Sequence, residues 1–147
     1  MTDADVQSFV INFAAAWAAR DGNAFLALWH PEGRLYTPLV ARPVLGSELK
    51  RLNDIQREAA PDVVWQLIDW TARGNVVVIE WQTSRIIAGQ RFDWRGVDKI
   101  TLQDGKIVEE RVYTDTALLR ALRTGADIEA VRQAARLGIA HEPITAL

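Results

Sequence analysis

The chain of 147 residues contains no cysteine, which excludes a disulfide framework, a thiolate metal site and cysteine as a nucleophile. Histidine is nearly as scarce, with only His30 and His141, and no residues have metal-ligand spacing, a glycine-rich phosphate loop or a nucleophile elbow. No cofactor and no metal are expected. A charge excess is missing too: 17 basic and 19 acidic residues leave a formal charge of -2, with neither a basic stripe for nucleic acid nor a polybasic membrane anchor. No run approaches the roughly 18 apolar residues of a membrane span, and Asp3 and Asp5 stand where a signal peptide would be basic. The expectation is a cytoplasmic protein that binds neither nucleic acid nor membrane.

What is present suits one ordinary domain over 1–147: 49% hydrophobic and 24% charged residues, enough to bury a core without staples. Val6, Phe9, Val10, Phe13 and Trp17 recur at helical spacing behind Thr2 or Asp3 as a cap, which predicts a first amphipathic helix. Asp21-Gly22 breaks it, and a short second helix with Phe25, Leu28 and Trp29 inward should end before Pro31. A short strand over 34–37 and a third helix from Ser47 to Ala60 follow. Beyond Pro61 the character changes. The stretches 63–71, 75–87, 91–102 and 106–114 are rich in Val, Ile, Trp and Thr and are parted by turn signals at Gly74-Asn75, Ala88-Gly89 and Asp104-Gly105, which predicts an antiparallel meander. Helices followed by hairpin-linked strands give an α+β fold, helices covering one face of a curved sheet. Helical patterns over 116–123 and 127–137, stopped by Gly125 and Gly138, form a C-terminal extension.

Asp104-Gly105 is a two-residue hairpin signal, and regular pairing from it sets Asp98 opposite Arg111, in a row with Phe92, Trp94, Ile100 and Leu102. Lys99 and Glu110 then pair on the other face, with Val97, Val108 and Val112. A charge set among apolar neighbours needs a reason. Two uses stand side by side: a structural ion pair with Arg111, or an acid–base group whose pKa burial raises and Arg111 lowers. A bulge in the hairpin would slip this register by one and exchange the faces.

Six tryptophans are a high load for this length, and Trp17, Trp29, Trp81 and Trp94 come from elements that the architecture brings together. They can wall a pocket for a flat or ringed ligand, or fill a core, as is expected of Trp65 and Trp70. Tyr36 and Tyr113 are candidates to orient a ligand oxygen. Asp69 and Glu80 are expected to face away from the pocket.

Gly96-Val97-Asp98, the run Asp104-Gly105-Lys106-Ile107-Val108-Glu109 and Tyr113-Thr114-Asp115 resemble the terminal hairpin of SnoaL-like polyketide cyclases, within the nuclear transport factor 2-like superfamily. Ala15-Ala16-Trp17, Arg20-Asp21-Gly22-Asn23 and Leu26-Ala27-Leu28-Trp29 resemble that family's first helix pair. The resemblance implies a cone-shaped α+β domain around one mainly apolar pocket, a homodimer, and a small hydrophobic molecule as partner. It places Asp98 at the acid–base aspartate of the cyclases and at the oxyanion-hole aspartate of ketosteroid isomerases. The isomerase tyrosine corresponds to Phe13 and its base to Thr37. The water-activating aspartate of limonene-epoxide hydrolase corresponds to Thr83, with Trp81 for the paired arginine, while Arg111 and Asp115 match its last-strand pair. The dehydratase branch uses pocket histidines, whereas His30 precedes Pro31 and His141 lies in the tail. The implied activity is a cofactor-independent lyase, cyclase or isomerase acting on a hydrophobic carbonyl compound, with Asp98, Arg111, Tyr113 and Asp115 as the catalytic set and Trp17, Trp29, Tyr36, Trp81 and Trp94 around the substrate. The alternative is a non-catalytic binding or dimerisation module of the same fold.

Overall fold

A computed structural model describes residues 2–87, 89–116, 127, 129 and 130. The chain divides after Thr114 into two compact units. The first opens with helix α1 (Asp3–Ala19) and a short α2 (Gly22–Ala27). Thr2 and Asp5 cap α1 reciprocally, the Asp5 amide donating to Thr2 Oγ1 at 3.2 Å and the Thr2 amide to Asp5 Oδ2 at 2.7 Å, which satisfies donors that a helix start leaves orphaned. Arg20 ends α1 in the left-handed region at φ 54°. Its guanidinium reaches the C-terminal end of α3 (Leu49–Ala59), donating to the carbonyls of Ala60 (2.7 Å), Arg57 (3.3 Å) and Pro61. One charged side chain thereby ties two helix ends together, supplying donors where α3 leaves carbonyls unpaired.

Six strands form one mixed sheet in the order β2-β1-β6-β5-β4-β3: β1 (Trp29–Tyr36), β2 (Val44–Leu45), β3 (Val64–Arg73), β4 (Val76–Ile87), β5 (Gln90–Gln103) and β6 (Lys106–Thr114). The meander β3 to β6 is antiparallel throughout, and β1 returns parallel to β6. This is the expected α+β arrangement, helices first and then a mainly antiparallel sheet. Two expectations shift. The second helix stops at Ala27, so Trp29 opens β1 rather than closing a helix, and the strand expected at 34–37 starts there. The two-residue β2, leading into a 3-10 turn (Gly46–Glu48), was too short for any periodicity to announce it.

Val6, Phe9, Val10 and Phe13 of α1 join Val77, Ile79, Ile100, Leu102 and Ile107 from three central strands in one core. Phe13 and four of these strand residues, Val77, Ile79, Ile100 and Ile107, have no exposed surface, so the side of the sheet turned to the helices is the interior side. Lys106 Nζ donates to the Ala27 carbonyl, and the Ile107 amide to the Leu28 carbonyl at 2.9 Å, docking the last hairpin on the end of α2.

The expected C-terminal helices fall largely outside the described residues, as do Gly125, Gly138 and His141. In the second unit Glu129 and Ala130 are helical, and the Asp127 carboxylate accepts from their amides at 2.9 and 3.4 Å, an N-terminal cap.

Candidate functional site

The site is decided by one extra residue. Asp104 and Gly105 make the two-residue turn expected of them, with φ of 50° and 74°, and Gln103 pairs with Lys106 and Leu102 with Ile107. Thr101 then pairs with Glu109, so Val108 is a bulge, and from there Ile100 faces Glu110 and Asp98 faces Val112. A single-residue slip turns every later side chain of β6 to the opposite face. The expected pairing of Asp98 with Arg111 is therefore corrected. Arg111 pairs with Lys99 in the ladder and lies on the outer face, where its Nε donates to Glu109 Oε1 at 2.8 Å and its NH2 to Glu109 Oε2 at 3.2 Å. Its guanidinium also sits over the Tyr36 ring, 4.3 Å from the centroid, a cation–π contact. The expected outer pairing of Lys99 with Glu110, and the shared face of Val97 and Val112, are corrected by the same slip: Val112 packs against the core, whereas Val97 faces Tyr113.

The inner face thus carries two carboxyl groups. Asp98 is 3% exposed and Glu110 1%; they occupy adjacent strands on the diagonal of the ladder. Glu110 lies between Ile100 of β5 and Leu35 of β1, both apolar and buried. Burial disfavours the charged form of each group. For Asp98 it pushes the pKa up to about 7, against a smaller lowering by the Trp81 indole N–H. For Glu110 burial acts first and the neighbouring Asp98 charge second, and both push its pKa well above the carboxylate range. Burial therefore decides the sign at Asp98 that the opposition of burial and arginine had left open.

Trp81 owes its place to Gly96, its partner across β4 and β5. A Cβ at residue 96 would lie 2.2 Å from Cζ2 and 2.5 Å from Cη2 of the indole, so the ring occupies the space that a side chain there would take. That seat brings the indole N–H towards Asp98, two residues along, without closing into a full hydrogen bond: Trp81 Nε1 and Asp98 Oδ1 are both buried and unpartnered. Glu110 Oε2 and the indole nitrogens of Trp17 and Trp29 share that condition. Buried polar atoms are paired in the great majority of cases; these five, with Arg85 Nε, are the exceptions among the described residues.

The remaining candidates separate into groups. Trp17 stacks on Trp65, centroids 5.9 Å apart at 16°, and meets Phe25 edge-on at 5.1 Å, while Phe25 meets Trp29 at 6.1 Å. Trp81 belongs to the core, and Trp94, opposite Thr83, packs against it. Trp70, expected in the core, is 37% exposed. Asp69 and Glu80 pair on the outer side, as expected. Tyr36, Arg111 and Tyr113 lie together at the far end of β1 and β6, around an open depression of about 290 Å³ that Val40, Arg42 and Pro43 also line. Asp115 is exposed and begins the second unit. An open groove of about 1070 Å³ runs between α1 and the last hairpin, lined by Ser8, Asn12, Ala24, Leu28, Asp104 and Lys106 among others. Asp98 and Glu110 line neither space. His30 accepts from the Glu32 amide through Nδ1 at 3.2 Å, a local turn contact.

Sequence reasoning missed Glu110 and Gly96. The signal for Glu110 was parity: Ile107 and Val112 are both turned to the core, yet five positions apart they cannot share a face of a regular strand, which requires a bulge between them.

The sequence pattern of the SnoaL-like domain matches residues 10–110. The chain belongs to the SnoaL-like family. No curated protein matches it in sequence. Among solved structures this SnoaL-like chain is similar to AclR from Streptomyces galilaeus, at 21% identity and a TM-score of 0.69 over 84% of this chain and 98% of that one. It is similar to TerC, co-crystallised with polyporic acid, at 17% identity and a TM-score of 0.71 over 80% and 97%. A protein of ketosteroid isomerase-like fold from Catenulispora acidiphila, in complex with trimethylamine, shares 17% identity at a TM-score of 0.69 over 82% and 95%. These likenesses show the fold. Among the described residues no helix is long and apolar enough to cross a membrane, and no group of three or more His, Cys, Asp or Glu is placed to hold a metal ion.

Proposed function

We propose that this SnoaL-like domain takes a small, mainly apolar carbonyl compound into the interior between helices and sheet, and moves a proton on it at Asp98. The reaction is then a cyclisation, isomerisation or elimination that needs no cofactor. The observation that carries this reading is the Asp98 carboxyl itself, 3% exposed with an unpartnered oxygen and a pKa of about 7. A group half-ionised at neutral pH is matched to acid–base work, which contributes roughly 10²- to 10⁴-fold in rate. Trp17, Trp29, Trp81 and Trp94 are the aromatic wall of this reading. Arg111, Tyr113 and Tyr36, on the outer face, drop out of the proton-transfer step. Association of two copies through the outer face belongs to the same reading.

The test is proton exchange on a panel of aromatic ketones in heavy water, followed by NMR. The wild-type protein should wash deuterium into the carbon next to the carbonyl, and Asp98→Asn should slow this by about 10²-fold or more while keeping the fold. Undiminished exchange in that variant removes the mechanism. A purely binding role is the reading that the closely packed Trp17, Trp65 and Phe25 cluster favours; it predicts no exchange in either protein, with ketone binding retained in both.

A further inference from the structure

We infer that Glu110 is the proton-holding partner of Asp98, so that the interior presents one carboxylate and one carboxylic O–H to its ligand, and that the ligand is a neutral carbonyl compound rather than an anion. The inference rests on the reading of Asp98 as the base and adds a second residue and a substrate class to it.

The geometry comes first. Glu110 and Asp98 stand diagonally on neighbouring strands of the interior face, each with a buried oxygen that no other group engages. Among the described residues of the sheet no cation shares their face. Lys99 and Arg111, one position along on each strand, alternate to the outer side, where Arg111 is engaged by Glu109. Across β1 the neighbour is Leu35, across β4 from Asp98 it is Ile79, and α1 sends Val6, Phe9, Val10 and Phe13 into the core. On β4 the polar groups turned inward with the pair are the Trp81 indole N–H and, further along, Thr83, and the indole nitrogens of Trp17 and Trp29 are buried in the same core.

Two carboxyl groups on the diagonal of one ladder, with no cation beside them among the described strand residues, do not both ionise readily. Which one ionises first follows from their surroundings. Asp98 has the Trp81 indole to stabilise its anion; Glu110 has only burial and the Asp98 charge, and both hold its proton on. Environments that push two titratable groups apart set their acid and base roles. The step then balances. The Asp98 carboxylate takes a proton from the carbon beside the carbonyl, the C–H pair becomes the C=C bond of the enol, and the carbonyl oxygen takes the Glu110 proton. Return of the Asp98 proton to the same or another carbon, and of the enol O–H proton to Glu110, regenerates both groups. An anionic ligand would bring a second negative charge to a poorly solvated site that already holds one, which is unfavourable in a low dielectric.

The experiment is infrared difference spectroscopy of the protonated-carboxyl C=O stretch in the wild type, Asp98→Asn and Glu110→Gln, titrated from pH about 5 to about 9. The wild type should show one carboxyl band that bleaches near pH 7 and is absent in Asp98→Asn, and a second that persists above it and is absent in Glu110→Gln. In Asp98→Asn the persistent band should bleach at lower pH, because the neighbouring charge is gone. A persistent band that survives Glu110→Gln overturns the assignment. Should Glu110→Gln fold poorly, Glu110→Leu, an apolar replacement of similar volume, serves in its place. In the exchange assay Glu110→Gln should keep the rise of rate through pH 7 and lose any fall at higher pH, which a merely structural glutamate would not alter. For the ligand class, tryptophan quenching should show acetonaphthone binding at least about tenfold more tightly than naphthoate at pH about 8; equal or reversed affinities overturn that part. These spectra need no turnover, so they fail or hold independently of the exchange test on Asp98.

Discussion

Replacing Asp98 by Asn should change how stability depends on pH, and the amount follows from burial. In the unfolded chain an aspartate titrates near 3.8, while in the fold Asp98 titrates near 7. Between those values the native state holds a proton that the unfolded state has released, so stability falls as pH rises through this window. At 1.36 kcal/mol per pH unit the full loss is about 4 kcal/mol, more than half of it between pH 5 and pH 8. Glu110 acts in the same direction, and its share shrinks in the variant because the Asp98 charge that helps to hold its proton is gone. The carboxylates whose pKa is lowered by surface partners, among them Glu48 beside Arg42 and Asp54 beside Lys50, act oppositely and only in more acidic solution. Urea unfolding of wild type and Asp98→Asn at pH 5 and pH 8 gives, as the difference of the two slopes, the contribution of Asp98 together with its coupling to Glu110. The wild type should lose about 2–3 kcal/mol more than the variant across that interval, and the variant should be the more stable of the two at pH 8. Parallel losses in the two proteins would refute the argument, because they would mean that Asp98 titrates alike in the folded and unfolded chain.

Gly96→Ala should cost about 1–3 kcal/mol, the usual range for overpacking, because a rigid indole cannot yield to a Cβ 2.2 Å away; displacing the Trp81 N–H should also raise the Asp98 pKa further, measured by the bleaching of its infrared band. A stability equal to wild type would show that the indole has room to move. Arg111→Ala, by contrast, should leave the Asp98 titration where it is, since the guanidinium lies on the outer face with Glu109 and Tyr36. A rise in the Asp98 pKa in that variant would restore the cross-strand pair and refute the register.

Much of this architecture was legible because its elements are periodic. Val6, Phe9, Val10, Phe13 and Trp17 spell a helix face; the turns at Gly74, Gly89 and Asp104-Gly105 cut the remainder into strands, and all three glycines take positive φ. Short elements were not legible: β2 has two residues, and its pairing with Arg34 and Leu35 is a tertiary event. The buried aspartate was found because a charge stood in an apolar row, an argument about β5 alone that needs no partner. Its partner depended on counting across the hairpin, and the count failed at Val108. A bulge is set by twist and packing between strands, and alternation within a single strand is silent about it. The consequence was specific: the arginine expected to neutralise Asp98 is outside, and a second acid is inside.

Val108 also separates the length of the hairpin from its chemistry. Because the bulge absorbs one residue without moving its neighbours on β5, a related chain one residue shorter here could run straight from its Ile107 equivalent to its Glu109 equivalent and still point the next side chain indoors. Positions on the two arms are therefore best matched outward from Tyr113-Thr114, where the ladder is regular, and not inward from the turn. Counted from the wrong end, a basic interior would be assigned to a domain that has an acidic one.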